Sequence, residues 1–455
     1  MANKNILTYN AIVTEVEQMY YAPVVVSPVT GLPLTSFYCF LAHADNWVDD
    51  TNPDQPTETE AYLKSVYKNI FVAKQITTND ISPVIQRNDW TANTVYDYYS
   101  DTADMFATDV NGVLVKTFYV RNRYDQVFKC LWNNNGGVSS YEPMFQPGTY
   151  GTNNIYQNAD GYKWKYIYTI DAGRKTKFMD SSWMPVPVIN TTFDPNATTA
   201  GAGDIEVINV VNGGHGYDPV NAAITITITG DGVGASANVV TSNGSIIDVL
   251  VSFPGTDYSY ANVSITSALG SNASIVAPIS PIGGHGYDAV TELGCSRVMI
   301  TCQFTGSENG HIPTSNLIYH QVGLLVNPLA LSTYPNLANA SIYKTSTDFI
   351  VASGFGSYIS DEKIYQGTSL SSATFSATVL NFDSSNNIIC LINTTGTLSF
   401  NAPVFGNTSG TARTLLNINS PDLILFSGKI NYIENRSGIQ RSSDGIEQFK
   451  YVIQF

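Results

Sequence analysis

The chain has 455 residues, of which only 13% are charged, and its net charge is −15. The acidic balance argues against nucleic acid, whose binding needs a basic patch to displace counterions, and against an anionic membrane surface. An apolar content of 43% excludes a disordered chain, and no apolar run approaches the ~20 residues of a membrane-spanning helix.

The opening, MANKNILTYNAIVTEVEQ, has no sustained apolar stretch before Glu15 and Glu17, so no signal peptide is expected. Thr57-Glu58-Thr59-Glu60 reads as a capping box, followed by Leu63, Val66, Tyr67 and Ile70 at helical spacing. This predicts a helix running to about Ile76, packed on a sheet through that stripe. Elsewhere the period is two. In Tyr162–Ile170 one face carries Tyr162, Trp164, Tyr166, Tyr168 and Ile170, and the other Lys163, Lys165 and Thr169. That predicts a half-buried strand with an aromatic face. Ile224, Ile226 and Ile228 alternate with threonines; Ile247, Val249, Val251 and Phe253 recur at every second residue, as do Phe449, Tyr451, Ile453 and Phe455. Such β-branched and aromatic content suits a pleated surface.

GGHGYD occurs at 213–218 and again, identical, at 283–288, with a weaker copy, PGTDY, at 254–258. The unit reads as strand, glycine-rich turn, tyrosine, strand, with the tyrosine covering the end of a small core. A second Ser/Thr/Asn/Gly-rich stretch carries Asp383-Ser384-Ser385-Asn386-Asn387, a hairpin loop signal. The expected architecture is therefore mainly β and multidomain, sandwich-like with few helices. Small all-β modules are expected at 200–292 and 331–420.

Cys39, Cys130, Cys295, Cys302 and Cys390 lack the close pairing of a metal site and read as buried free thiols. The Asn-x-Ser/Thr sequons, such as Asn196, Asn262 and Asn407, read as by-products of composition. His215 and His285 read as turn residues of the repeat rather than a metal pair. Gly230-Asp231-Gly232-Val233-Gly234 lacks the Lys-Ser/Thr of a phosphate loop and reads as a hairpin turn. Asp49-Asp50 and Asp361-Glu362 read as solvated loop acids, and His311 and His320 as structural. With no GxSxG or HExxH pattern, no enzyme activity, catalytic residue, metal or cofactor is expected. The 28 Tyr, 20 Phe and 5 Trp in a chain of few charges suit burial against partners.

Several segments resemble, in order and spacing, one known family. They are IQRNDW (85–90), GYKWKYIYTI (161–170), SWMPVPV (182–188), IYHQVGLLVNPL (318–329) and SGKINYIENRSGIQRSSDGIEQFKYVIQF (427–455), with ILTYNAIVTEVEQ resembling its opening strand. The family is the baseplate wedge subunit of T-even-like contractile-tailed bacteriophages, the one present as a pair in each wedge. The resemblance implies a structural virion protein of the tail baseplate, made in the host cytoplasm. It implies a homodimer bound to other wedge proteins in a plate that rearranges on contraction, and it transfers no catalytic or contact residue. It also implies a common core over 1–199, 293–330 and 421–455. The two modules inserted into that core depart from the family pattern. They suit tail-fibre or glycan contacts, and leave a receptor- or carbohydrate-binding tail protein, such as a depolymerase, as the alternative.

Overall fold

The computed structural model describes residues 8–26, 28, 34–42, 46–146, 154–188, 203–313, 317–442 and 444–455. The structure is mainly β, with several sheets, a small closed barrel and few helices. It divides into two compact units, Met1–Gln18 with Ser82–Met299 and Val452–Phe455, and Met19–Ile81 with Ile300–Tyr451.

In the first unit a four-stranded antiparallel sheet has the order Tyr119–Arg121, Gln126–Trp132, Lys163–Thr169, Ile155–Gln157. Phe128, Cys130, Tyr162 and Trp164 form its core, with Tyr162 and Trp164 stacked at 5.5 Å. The aromatic face holds for Tyr162, Trp164 and Tyr166, but a bulge opposite Val127 and Phe128 breaks the alternation, and Tyr168 and Ile170 lie outside this core, Tyr168 donating to Pro185 O at 2.9 Å. The opposite face is not solvated: Lys163 and Lys165 are buried, so this strand is covered on both sides.

Residues 205–279 of this unit enclose a core of their own with three two-stranded sheets. These pair Asn209–His215 with Ser271–Val276, Ile224–Gly230 with Ala261–Ser267, and Ser236–Ser242 with Ser245–Phe253. The Ile/Thr alternation at 224–229 holds, isoleucines inward. At 246–253 it breaks. Two bulges slip the register, one between Ile246 and Asp248 and one between Val251 and Phe253, and Ile246 is buried while Ile247 and Phe253 are exposed. Gly230–Gly234 is not a hairpin turn, because the strand ending at Gly230 pairs with Ala261–Ser267 and not with the next strand. Tyr217 and Tyr258 close the core, each ring lying on bare glycine. A Cβ on Gly270 would meet the Tyr217 ring at 2.2 Å, and one on Gly232 the Tyr258 ring at 2.4 Å. The third copy lies outside these sheets: its Tyr287 rests on Gly283, and Asp288 caps a short helix, Ala289–Glu292. Where the chain enters and leaves this body, Ser280 N donates to Asp204 O at 2.9 Å.

The second unit holds a five-stranded antiparallel sheet, Ile342–Lys344, Ile70–Ile76, Phe37–Ala42, Leu317–Val326, Lys429–Arg441. Phe37–Ala42 is buried at every residue, as a central strand with both faces covered must be. Two expectations are corrected here and at the chain start. The helix is Glu60–Asn69, capped by Thr59, whose hydroxyl accepts from Tyr62 N, rather than by Thr57; it stops at Asn69, and Ile70–Ile76 is a strand. Ile70, Phe71 and Val72 bury as a continuous apolar β run, and that burial ends the helix earlier than its stripe suggests. Tyr9–Tyr21 is a helix, not an opening strand: Val13 and Val16 share a buried face at helical spacing. Residues 1–7 lie outside the described residues, as does Asn196.

Beyond this sheet the chain forms a closed six-stranded barrel, in the order Thr347–Val351, Ile388–Gly396, Phe375–Asp383, Lys363–Gln366, Pro403–Gly406, Ala412–Asn419. Phe349, Phe375, Val379, Leu391, Val404 and Leu415 fill it. Asp383–Asn387 is the hairpin loop the sequence suggests. At the barrel's foot Lys344 and Asp422 exchange two hydrogen bonds, Lys344 N to Asp422 Oδ2 and Asp422 N to Lys344 O, both 2.8 Å.

Candidate functional site

The strand Gln126–Trp132 carries one lysine in an apolar run. In a sheet covered on both faces, that side chain has to find its partners inside. Lys129 Nζ lies 2.9 Å from Glu292 Oε2 and 3.2 Å from His285 Nδ1, and 4.3 Å from the centre of the Tyr99 ring. Tyr99 meets His285 edge-on at 4.7 Å. Glu292 Oε1 accepts from Gly286 N at 2.6 Å, and Glu206 Oε2 accepts from His285 N at 2.6 Å. Lys165 Nζ stands 3.9 Å from Glu206 Oε1, and Lys163 Nζ lies 2.7 Å from Asp248 Oδ1 and donates to Ile208 O at 2.7 Å. Three lysines of the sheet are thus neutralised by carboxylates from 206, 248 and 292.

Burial opposes ionisation of Glu292, but the Lys129 ammonium and the His285 contact outweigh it and hold the carboxyl at about 2. Burial and then Lys129 push His285 below 6.5, against the pull of Glu292 and Glu206. Burial likewise pushes Lys163 and Lys165 down, opposed by their carboxylate partners. Beside this network a cleft of about 320 Å³ is lined by Tyr156, Gln157, Lys163, Glu206, Asp248 and Val251.

The two identical histidine loops therefore diverge. His285 is buried in the ion network, its Nε2 without a partner among the described residues, whereas His215 is exposed, 3.3 Å from Ser271 Oγ. Among the described residues no cluster of three or more His, Cys, Asp or Glu is placed to hold a metal. All five cysteines are buried and free.

The remaining candidates are dispersed. Asp49 accepts from Thr51. Asp50 accepts from Gly438 N at 3.1 Å and lies 3.7 Å from the buried His320, which Trp47 meets edge-on at 6.2 Å. Glu362 is not solvated: it is buried and accepts from Ile359 N, Thr408 N, Ser409 N and Ser409 Oγ, tying two barrel loops together. His311 Nδ1 is 2.7 Å from Glu308 O; residues 314–316 beside it lie outside the described residues. The sequence reading missed the Lys129–His285–Glu292 network. Its one visible signal was a lysine amid Val127, Phe128, Cys130, Leu131 and Trp132.

Large apolar side chains stand far out of both units, with Val110 and Phe355 fully exposed and Val220 and Ile282 nearly so. No protein-family model matches the chain, and no curated protein matches it significantly. The class that the fold defines is a mainly β protein of several sheets with a small barrel.

Proposed function

We propose that the chain is a structural assembly protein, a baseplate wedge component of a contractile-tailed phage, working as a homodimer against other wedge proteins and not as a catalyst. The observation that carries this reading is the set of large apolar side chains exposed on a chain with 13% charged residues. Such surface is inexpensive to desolvate and gains by burial against a partner. The family-like segments give further support. GYKWKYIYTI, SWMPVPV, IYHQVGLLVNPL and the closing segment lie on strands of the framework, while 205–279 and 347–419 have separate cores. A stable obligate interface buries about 2,000 Å² or more. Co-expression with the other wedge proteins of the same phage, followed by size-exclusion chromatography, tests it. Co-elution is expected; a chain that stays monomeric and alone defeats the proposal.

The cleft beside Asp248 favours a second reading, carbohydrate binding, since carboxylates beside an aromatic ring suit sugar hydroxyls and faces. A glycan array probed with the full chain and with Asp248→Asn tests it. Specific binding weakened by the substitution supports it, and silence removes it.

A further inference from the structure

A cavity of about 60 Å³, several times the space one water needs, lies in the unit formed by 19–81 and 300–451. Its lining includes Tyr67 and Lys68 of the helix Glu60–Asn69, Thr345, Leu391 of the barrel, and Leu425 and Phe426. Most of the lining is apolar, and two polar groups in it are under-used. Lys68 Nζ donates to Thr395 Oγ1 at 3.2 Å and meets no carboxylate among the described residues. Thr345 Oγ1 is buried without a hydrogen-bond partner among them.

The outer wall is unusual. Phe426 has φ 63°, a conformation that bulky residues rarely adopt. It is held there by Ser427, whose N and Oγ donate to Ile424 O at 3.1 and 2.6 Å and whose Oγ accepts from Leu329 N at 3.0 Å. Phe426 and Leu425 are each 45% exposed, and the Phe426 ring meets Tyr67 edge-on at 5.9 Å. Strained backbone concentrates where a site is being shaped.

We infer that this cavity binds a small amphipathic carboxylate, with a short acyl or aryl body against Leu391, Leu425 and Phe426 and its charge on Lys68. An apolar body gains by leaving water, and an ammonium without a carboxylate partner selects an anion over a neutral ligand. The inference is independent of the assembly role and stands or falls without it.

Octanoate titrated into the full chain by calorimetry, beside 1-octanol, tests it. Saturable binding is expected at about 1 mM or below, with octanol about tenfold weaker. Lys68→Met is expected to erase the difference between acid and alcohol, and Leu425→Glu, which places a like charge at the wall, to abolish octanoate binding. Circular dichroism of both variants confirms the fold, and the acid–alcohol comparison needs no variant. Absence of saturable binding, equal affinity for acid and alcohol, or octanoate binding untouched by both substitutions overturns the inference.

Discussion

Removing the ammonium of Lys129 leaves Glu292 buried with an uncompensated charge, and that loss exceeds anything a surface ion pair delivers. Lys129→Met is expected to destabilise the protein by about 3–5 kcal/mol in urea unfolding. Adding Glu292→Gln should recover part of it, since the amide keeps an acceptor for Gly286 N and sheds the charge. No recovery would mean that the pair is not the unit of stability.

His285 sets a pH dependence. It faces Lys129, Glu292 and Tyr99, while its own N–H is held by Glu206, which Lys165 approaches. Its folded pKa lies below 6.5, so the unfolded chain takes the proton first. Stability is therefore full above about pH 6.5 and falls as pH drops toward the folded value. Glu292, at about 2 against an ordinary 4.5, adds a second loss between those two values. Urea midpoints are expected to fall from about pH 7 to pH 5, and to fall less in His285→Gln. Equal slopes in the two proteins would assign the dependence elsewhere.

Among the elements, the tyrosine-on-glycine contacts of the 205–279 body make the sharpest prediction. A methyl at Gly270 or Gly232 has nowhere to go without displacing Tyr217 or Tyr258. Gly270→Ala and Gly232→Ala should each cost about 1–3 kcal/mol. Gly354→Ala, where the nearest contact is Arg413 Cγ at 3.8 Å, should be near neutral. Comparable losses at all three would refute the packing argument. In the barrel, Leu391→Ala should cost about 2–5 kcal/mol, read from the same unfolding curves.

The alternation at 224–229, the aromatic face of 162–166 and the 383–387 hairpin were legible in the sequence because each is set by neighbours within a few residues. The burial of Lys163 and Lys165 was not, since their carboxylate partners come from 206 and 248, and period-two polarity looks the same whether the polar face meets water or ions. The same holds for the bulge at Ile247, which is fixed by the partner strand, and for the helix end at Asn69, where β pairing overrides the stripe.

For the molecule as a whole, an excess of acid sets the colloidal behaviour. With a pI of about 4.6, self-association should peak near that pH in light scattering, where stability is also falling. A scattering minimum there would contradict it.

The paired hydrogen bonds between Lys344 and Asp422, and the one between Asp204 and Ser280, give two appendages that each leave and rejoin the framework at a single point. Loop closure costs little when the ends already touch, so lineages can gain, lose or exchange such pieces without rebuilding their host. The two are not equally dispensable. Trimming away the barrel removes a body that fills its own interior, and with it one wall of the Lys68 cavity, whereas trimming away 205–279 strips Glu206 and Asp248 from two buried lysines of the host sheet. Swapping at the barrel socket thus leaves no buried charge behind, and at the other it requires that every newcomer bring its own acids.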